Sequence, residues 1–234
     1  EGVAMMLART LCMALHGIMG EPVTVEAYVA PASAFMFSIV GLPDTAVRES
    51  RDRVGAALKN SGFAMPLGQT TVNLSPADLR KEGTAFDLPI ALAIISASRQ
   101  LQAKDLDKVL LIGELALDGR LLPVTGALSM VISAHEQGIH QVILPQENAR
   151  EVAAVSGMEV YPAASLSQAA GHLSGQLPIP AQAQRSYADC LSETMIDLDL
   201  SQVRGQQMPR RALEIAAAGG HNLLLIGTPG SGKT

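Results

Sequence analysis

The sequence predicts an α/β (α+β) fold, in which strands and helices alternate along most of the chain. Segments with the two-residue periodicity of strands are repeatedly followed by segments with the longer periodicity of helices. The 234 residues are 48% hydrophobic, so they can bury the core of one large domain or of two smaller ones. A glycine-rich pattern at residues 227–234 directly follows an apolar run, as in a loop between a strand and a helix.

The N-terminal part predicts three strands. In the second strand apolar residues alternate with polar ones, which is typical of a strand with one buried face. Residues 5–20 also resemble a signal peptide, since one arginine precedes an apolar run, but His16 and Gly17 break that run and we predict a strand instead. The three strands are expected at residues 8–18, 22–30 and 35–40.

A helix is predicted next, from Asp44 to about Asn60. Asp44 follows a Gly-Leu-Pro turn and is placed to cap the helix N-terminus. Glu49 and Arg53 are four residues apart and can pair on the solvent side. The apolar stripe that would face the core consists of Val47, Val54 and Leu58.

The middle of the chain predicts a central helix between strands. From Phe86 to about Ser98 apolar residues cover most of a helical surface, so this helix should be nearly buried. Asp118-Gly119 is a turn signal in the middle of a predicted hairpin. Strands are expected at residues 69–74 and 108–112, a polar loop at 80–84 and the hairpin at 113–123.

Predicted strands and helices continue to alternate towards the C-terminus. Residues 174–198 contain Pro178 and Pro180 and show little periodicity, so we interpret them as a linker. An apolar run at residues 221–226 predicts a buried strand. Helices are expected at residues 126–137, 147–155, 165–173 and 210–218, and strands at 141–144 and 158–161.

The pattern GxxxxGK[ST] at residues 227–234 predicts a phosphate-binding loop for ATP and Mg²⁺. Glycines let successive backbone N–H groups point at the phosphates. Lys233, the predicted catalytic residue, would reach the β- and γ-phosphates, and the hydroxyl of Thr234 would bind the metal. The predicted cofactor-binding residues are Gly227, Thr228, Pro229, Gly230, Ser231, Gly232, Lys233 and Thr234.

This loop needs a helix that begins within it and an acidic residue from a later strand. We therefore expect the chain to be the front part of a longer ATPase, and we do not expect it to hydrolyse ATP alone.

Composition limits the remaining functions. A net charge of −5 argues against a generally basic surface, and 3% aromatic residues leave few platforms for stacking bases, so any DNA contact should be local. Cys12 and Cys190 lie far apart without a metal-binding spacing, which favours a reducing cytoplasm. No segment reaches the length of a membrane span. We expect a soluble, cytoplasmic protein without a membrane partner.

A cluster of basic residues has two interpretations. If the helix 44–60 and the loop 80–84 lie side by side, their cations could bind nucleic-acid phosphates. Acidic residues interleave with them, however, and could neutralise them in weak surface pairs. The cations are Arg48, Arg51, Arg53, Lys59, Arg80 and Lys81, and the interleaved acids are Glu49, Asp52 and Glu82.

Two other groups of polar residues are assigned structural roles. His135, Glu136 and His140 have the spacing HExxxH, which places the two imidazoles on different sides of a helix that Gly138 ends, so we expect no metal there. Capping, turn formation and solvent exposure account for Asp87, Glu114 and Asp118 better than acid–base catalysis does.

Two loops resemble the Lon-type proteolytic domain. Residues 80–87 resemble its Pro-Lys-Asp-Gly-Pro-Ser-Ala-Gly signature, and residues 113–128 resemble its Gly-Glu…Leu-Pro segment. The family uses a Ser–Lys dyad, and the register places Ala85 and Leu128 at those positions. Neither side chain can attack a carbonyl or accept a proton, so the resemblance implies the fold, of the ribosomal S5 domain 2-like type, without peptidase activity.

The whole chain resembles the YifB/ComM family of magnesium-chelatase-like AAA+ ATPases. The resemblance is carried by segments 14–17, 40–44, 48–54, 60–63, 73–78, 86–90, 205–206 and 217–225. It implies a ring-forming ATPase, hexameric and homo-oligomeric, that acts on DNA in branch migration and recombination.

The resemblance also implies a domain organisation. Residues 6–173 would form a degenerate Lon-like domain, 174–198 a linker, and 199–234 the start of an AAA+ domain truncated after the phosphate loop. Two alternatives remain. One is a motor that inserts a metal into a tetrapyrrole, and the other is a non-catalytic domain that assembles rings or docks partners.

Overall fold

The computed structural model describes residues 6–103, 105–186 and 199–230. The chain divides into two compact units, Glu1–Ser186 and Tyr187–Thr234. The described strands all lie in the first unit, and the described part of the second unit contains a 3-10 turn, an α-helix and the beginning of the predicted phosphate loop.

The first unit is built on a mixed sheet of seven strands. Their spatial order is β3-β4-β2-β1-β5-β8-β9, with β1/β2 and β2/β4 antiparallel and the other neighbouring pairs parallel. Strands β6 and β7 form a separate antiparallel hairpin. The strands are β1 Met6–His16, β2 Met19–Ala30, β3 Met36–Val40, β4 Gln69–Ser75, β5 Leu110–Leu111, β6 Glu114–Leu115, β7 Leu121–Leu122, β8 Gln141–Pro145 and β9 Glu159–Ala163.

The described residues form six α-helices, five in the first unit and one in the second. The described residues contain no helix with the length and apolarity needed to cross a bilayer. Two 3-10 turns, at Leu106–Lys108 and Leu200–Gln202, complete the regular structure of the described residues. The helices are α1 Thr45–Asn60, α2 Asp87–Ala97, α3 Ala127–Glu136, α4 Gln146–Val152, α5 Leu166–Leu173 and α6 Gln207–Gly219.

The sheet is covered on both faces. Cys12 and Met13 are neighbours in β1 and therefore point to opposite faces, yet both are completely buried. Cys12 belongs to a core shared with α1, α2 and α5, whereas Met13 belongs to a second core shared with α3 and α4. The alternation predicted for β2 is confirmed, because Val23, Val25 and Ala27 are buried. The α/β class follows from this layered arrangement.

Local signals in the sequence are confirmed at several places. The Asp44 carboxylate accepts the Val47 amide at 2.8 Å, so Asp44 caps α1 as predicted. Helix α2 is buried along almost its whole length. The hairpin turns at Asp118 and Gly119, and Gly119 has a φ of 87°, which favours glycine. The strand expected at residues 108–112 is shorter, because a 3-10 turn occupies its beginning.

The segment after α5 continues to contact the first unit. Ile179 is buried, and its amide donates to Nδ1 of His172 at 2.9 Å. The amide of Gln182 donates to the carbonyl oxygen of Val160 in β9 at 2.8 Å. The amide of Arg185 donates to Ala153. The segment after α5 thus contacts α5, the outer side of β9 at Val160, and Ala153.

The prediction of a strand at residues 221–226 is wrong. These residues follow α6 without regular secondary structure, and Leu224 and Ile226 are 81% and 88% exposed. A buried strand needs neighbouring strands that accept its backbone hydrogen bonds. The described part of the second unit contains no other strand, so the apolar run has no partner there.

Candidate functional site

The candidate nucleotide site begins where α6 ends. Gly220 terminates α6 in the left-handed conformation, and the His221 amide donates back to Ala216 at 2.8 Å. The chain then continues without regular secondary structure to a turn at Pro229 and Gly230. Gly230 has a φ of 78°, so the turn uses the conformational freedom that the pattern predicted for a glycine at this position.

The structure describes half of the predicted cofactor-binding residues. Gly227, Thr228, Pro229 and Gly230 are exposed, as a loop that receives a ligand must be. The other predicted residues, Ser231, Gly232, Lys233 and Thr234, lie outside the described residues.

The first unit holds the two positions that correspond to the Ser–Lys dyad in the Lon-type resemblance. Ala85 precedes α2 and is 3% exposed. Its carbonyl oxygen accepts the Gly113 amide at 3.1 Å and lies 3.8 Å from Sγ of Cys12. Leu128 lies on α3 and is 37% exposed. Neither position supplies a nucleophile or a base, so this arrangement offers no Ser–Lys chemistry.

Cys12 does not replace the missing nucleophile. Its thiol is completely buried in the core, and burial raises its pKa to about 12. A thiol acts as a nucleophile only as the thiolate, which this environment suppresses at neutral pH. Cys12 is therefore an ordinary core residue, as predicted, whereas Cys190 lies outside the described residues.

Asp87 is the centre of a buried polar cluster close to Ala85. Its Oδ2 accepts Nε of Arg53 at 2.7 Å and the Leu115 amide at 3.1 Å. Its Oδ1 accepts Nη2 of Arg53 at 3.0 Å and the hydroxyl of Ser50. The carboxylate is completely buried, so of the three structural explanations offered for this group of acidic residues, solvent exposure does not apply to Asp87. Hydrogen bonds from Arg53 and Leu115 replace the lost water.

This cluster changes the interpretation of Arg53 as well. The predicted pair with Glu49 exists at 3.8 Å, but the shorter and more buried contact is with Asp87. The hydrogen bond to Asp87 raises the pKa of Arg53. The sequence offered one signal, an aspartate at the start of an otherwise apolar helix. Its partner in α1 could not be identified, because only the packing of α1 on α2 brings the two together.

The other two acidic candidates, Asp118 and Glu114, make no contact that indicates catalysis. Asp118 accepts the Arg120 amide at 3.1 Å and Nε of Arg120 at 2.8 Å, so its predicted role in the turn is confirmed. The side-chain hydrogen bond from Arg120 lowers the pKa of Asp118. Glu114 begins β6 and pairs in register with Leu122. None of these contacts indicates acid–base catalysis.

The basic cluster divides into buried and exposed members. Lys81 is completely buried, its amine donates to the carbonyl oxygen of Pro76, and burial lowers its pKa. Arg53 is occupied by Asp87. The helix and the loop do lie side by side, since the Asp44 amide donates to the Lys81 carbonyl at 3.0 Å. The arginines that remain exposed are Arg48, Arg51 and Arg80.

The histidines of the HExxxH pattern lie together at the end of α3. The expectation that the two imidazoles diverge is wrong, because the rings of His135 and His140 are edge to face, with centroids 5.2 Å apart. Nδ1 of His135 is buried and has no hydrogen-bond partner among the described residues. Within those residues, no group of three or more His, Cys, Asp or Glu side chains is arranged to hold a metal ion.

Comparison with known families matches both units. Residues 25–148 match the family described as subunit ChlI of Mg-chelatase. Residues 199–234 match the family described as magnesium chelatase, subunit ChlI. The second match contains the whole phosphate-loop pattern, and the first covers the strands from β3 to β8 together with α1, α2 and α3.

Individual relatives extend the match to nearly the whole chain. YifB of Salmonella typhimurium is 43% identical over 230 residues, which is 98% of this chain and 44% of the relative. The competence protein ComM of Haemophilus influenzae is 41% identical over 232 residues, 98% of this chain and 45% of the relative. The Lon protease of Rhizobium meliloti is 26% identical over 174 residues, 69% of this chain and 21% of the relative. The chain spans less than half the length of its YifB and ComM relatives.

Proposed function

Because the chain belongs to the YifB/ComM family of magnesium-chelatase-like proteins, we propose that it is the front part of an AAA+ ATPase that acts on DNA in recombination. The observation that carries this proposal is the phosphate-loop pattern at residues 227–234, inside the segment that matches the chelatase family. The competence protein ComM among its relatives supports the link to DNA. In the intact protein, ATP hydrolysis would drive branch migration by a cytoplasmic, hexameric ring.

The chemistry proposed for the loop follows from its residue types. Gly227, Gly230 and Gly232 allow the backbone to approach the phosphates, and the positive φ of Gly230 supports this role. Lys233 would neutralise charge that develops on the transferred phosphoryl group. The hydroxyl of Thr234 would hold Mg²⁺, which supplies charge neutralisation at the β- and γ-phosphates when bound. Thr228, Pro229 and Ser231 would complete the cradle.

We propose that residues 6–173 form a degenerate Lon-like domain with the S5 domain 2-like fold, that 174–198 form a linker, and that 199–234 begin the AAA+ domain. The likeness to Lon protease supports the first assignment. Ala85 and Leu128 at the dyad positions support the absence of peptidase activity. The first domain would therefore serve as a structural or interaction module beside the ATPase.

The test uses the intact protein with Lys233 replaced. Lys233→Ala should lower ATP turnover by about three orders of magnitude, because the loop loses its only cation at the phosphates. Lys59→Ala, which removes an exposed lysine of α1, is the matched control and should leave turnover unchanged. Turnover that survives Lys233→Ala would contradict the proposal.

A second measurement separates the functional classes. ATP hydrolysis by the intact protein should rise when branched DNA is added, and size-exclusion chromatography with ATP should show a ring. Stimulation by a tetrapyrrole and Mg²⁺ instead of DNA would indicate metal insertion, the alternative that the chelatase matches support. Assembly without any stimulated hydrolysis would indicate a scaffold.

A further inference from the structure

The two edge strands of the seven-stranded sheet, β9 and β3, differ in the contacts on their outer sides. At one edge, the segment after α5 contacts β9, where the Gln182 amide donates to the Val160 carbonyl at 2.8 Å. At the other edge, β3 pairs with β4 only, and no described strand lies on its outer side. The sequence of β3, Met-Phe-Ser-Ile-Val, contains no charge and no proline. It therefore lacks two of the features that often protect an open edge, a charged side chain and a proline.

The open edge of β3 presents unpaired backbone groups. The Met36 amide points towards β4, where it donates to the Gly68 carbonyl at 3.0 Å. Because alternate residues of a strand hydrogen-bond to opposite sides, the N–H and C=O groups of Phe37 and Ile39 point away from β4. These groups can accept one further strand.

A groove runs between β3 and α1 along this edge. It consists of three cavities of about 610, 430 and 320 Å³. The first two share Phe37, Arg51 and Asp52, and the last two share Thr45 and Arg48, so they form one continuous surface, which we call the β3–α1 groove. A groove between an edge strand and a helix is the geometry in which peptides bind by strand addition.

The two ends of the groove have different chemistry. At one end Phe35 is 60% exposed and Met36 is 57% exposed, next to the small residues Gly55 and Ala56 of α1. A Cβ added at Gly55 would meet no atom within 4 Å, so this end has room for an apolar side chain.

At the other end, Arg48 and Arg80 line the same cavity. Arg48 forms no ion pair with another described residue, and Arg80 pairs only with the exposed Glu82 at 3.0 Å. Asp44 also lines this end, but its carboxylate oxygens are occupied by the amides of Val47 at 2.8 Å and Gly83 at 3.3 Å. A carboxylate from a ligand would therefore complement the two guanidinium groups.

We propose that the β3–α1 groove binds an extended peptide segment as an additional strand, with acidic residues at Arg48 and Arg80 and apolar residues at Phe35. This proposal does not depend on ATP or on DNA. A peptide suits the groove better than a nucleic acid, because the lining carries as many carboxylates as cations. A polyanion would meet Asp44, Glu49 and Asp52 along its length, whereas a peptide can place its charge at one end.

The first test uses the chain itself and labelled peptides in fluorescence anisotropy. Two short peptides of alternating valine and threonine are compared, one with two glutamates at its carboxyl end and the other with two glutamates at its amino end. One of them can therefore place its glutamates beside Arg48 whether the peptide binds parallel or antiparallel to β3. At least one should bind saturably. N-methylation of the alternate residues whose amides face β3 should abolish binding, and N-methylation of the other set should not. Equal effects of both sets would exclude strand addition and overturn the proposal.

The second test changes the protein. Arg48→Glu should weaken peptide binding by about tenfold, since an attractive contact becomes repulsive. Arg99→Glu is the matched control, because Arg99 is exposed and lies outside the groove, and it should bind like the original chain. Equal binding by the two variants would contradict the proposal. Binding of a labelled oligothymidine instead of the peptide, weakened by Arg48→Glu, would assign the groove to nucleic acid and would also overturn it.

Discussion

Arg53 and Asp87 are 34 residues apart in the sequence, yet Nε of Arg53 lies 2.7 Å from Oδ2 of Asp87. The pair joins α1 to the first turn of α2, and the Leu115 amide extends the connection to β6 at 3.1 Å. Three elements close to Ala85 are thus held by one buried carboxylate. Such a cluster stabilises the fold only while every member has its partner.

Removal of the cation should therefore be costly. Arg53→Met leaves the Asp87 carboxylate buried without its charge partner, and we expect the free energy of unfolding to fall by about 3 kcal/mol. Adding Asp87→Asn should restore part of that loss, because no buried charge remains. Urea denaturation measures both. Arg51→Met, on the exposed side of α1, is the control, and equal stability of Arg51→Met and Arg53→Met would refute the structural role.

The hairpin turn gives a prediction about steric fit. A Cβ at Gly119 would lie 2.1 Å from Oγ of Ser61, whereas a Cβ at Gly62 would meet nothing within 4 Å. Both glycines have φ above 80°, so both alanine variants carry the same backbone penalty of about 1 kcal/mol. Gly119→Ala should lose roughly 1 kcal/mol more than Gly62→Ala in thermal or urea unfolding. Equal losses would show that the turn tolerates the added methyl group.

His172 should make the segment after α5 sensitive to acid. Its Nδ1 accepts the Ile179 amide at 2.9 Å, which requires the neutral imidazole, and burial lowers its pKa below the usual 6.5. The native state then binds fewer protons than the unfolded state, so this stabilisation is complete above pH 6.5 and is lost as pH falls through the lower folded pKa.

The measurement is amide hydrogen exchange at Ile179, corrected for the intrinsic effect of pH. Protection should decrease as the pH is lowered from 7 towards 5. In His172→Gln the side-chain amide oxygen can still accept the hydrogen bond but does not titrate, so the pH dependence should disappear. The same acid response in both proteins would rule out His172 as its cause.

Cys12 should be inert until the protein unfolds. Its pKa of about 12 and complete burial leave almost no accessible thiolate at pH 8. In a Cys190→Ser background, labelling by a thiol reagent should follow the rate of unfolding in denaturant and be negligible without it. Rapid labelling of the native protein would show that the β1 core opens locally.

The parts of the fold that local chemistry determines could be predicted from the sequence. Asp44 caps α1 because its side chain reaches an amide three residues away, and Asp118-Gly119 forms a turn from its own conformational preferences. The alternation in β2 indicated its buried face because the period of a strand is fixed.

The sequence-based predictions failed or were incomplete where contacts between residues distant in the sequence determine the structure. The partner of Asp87 depends on how α1 packs on α2, and the burial of Lys81 depends on the fold of its own loop against Pro76. The run at residues 221–226 has the composition of a strand, but a strand also requires neighbours that its own sequence does not specify. The phosphate loop was identified from spacing alone, and its assignment to ATP stays a prediction.

The unequal edges of the sheet limit how copies of this chain can associate. If the β3 strands of two copies paired, the remaining edge strand of each copy would be β9, which already accepts a hydrogen bond from Gln182. Edge-to-edge addition beyond two molecules is then less favourable, because the outer side of β9 already binds Gln182 through the Val160 carbonyl.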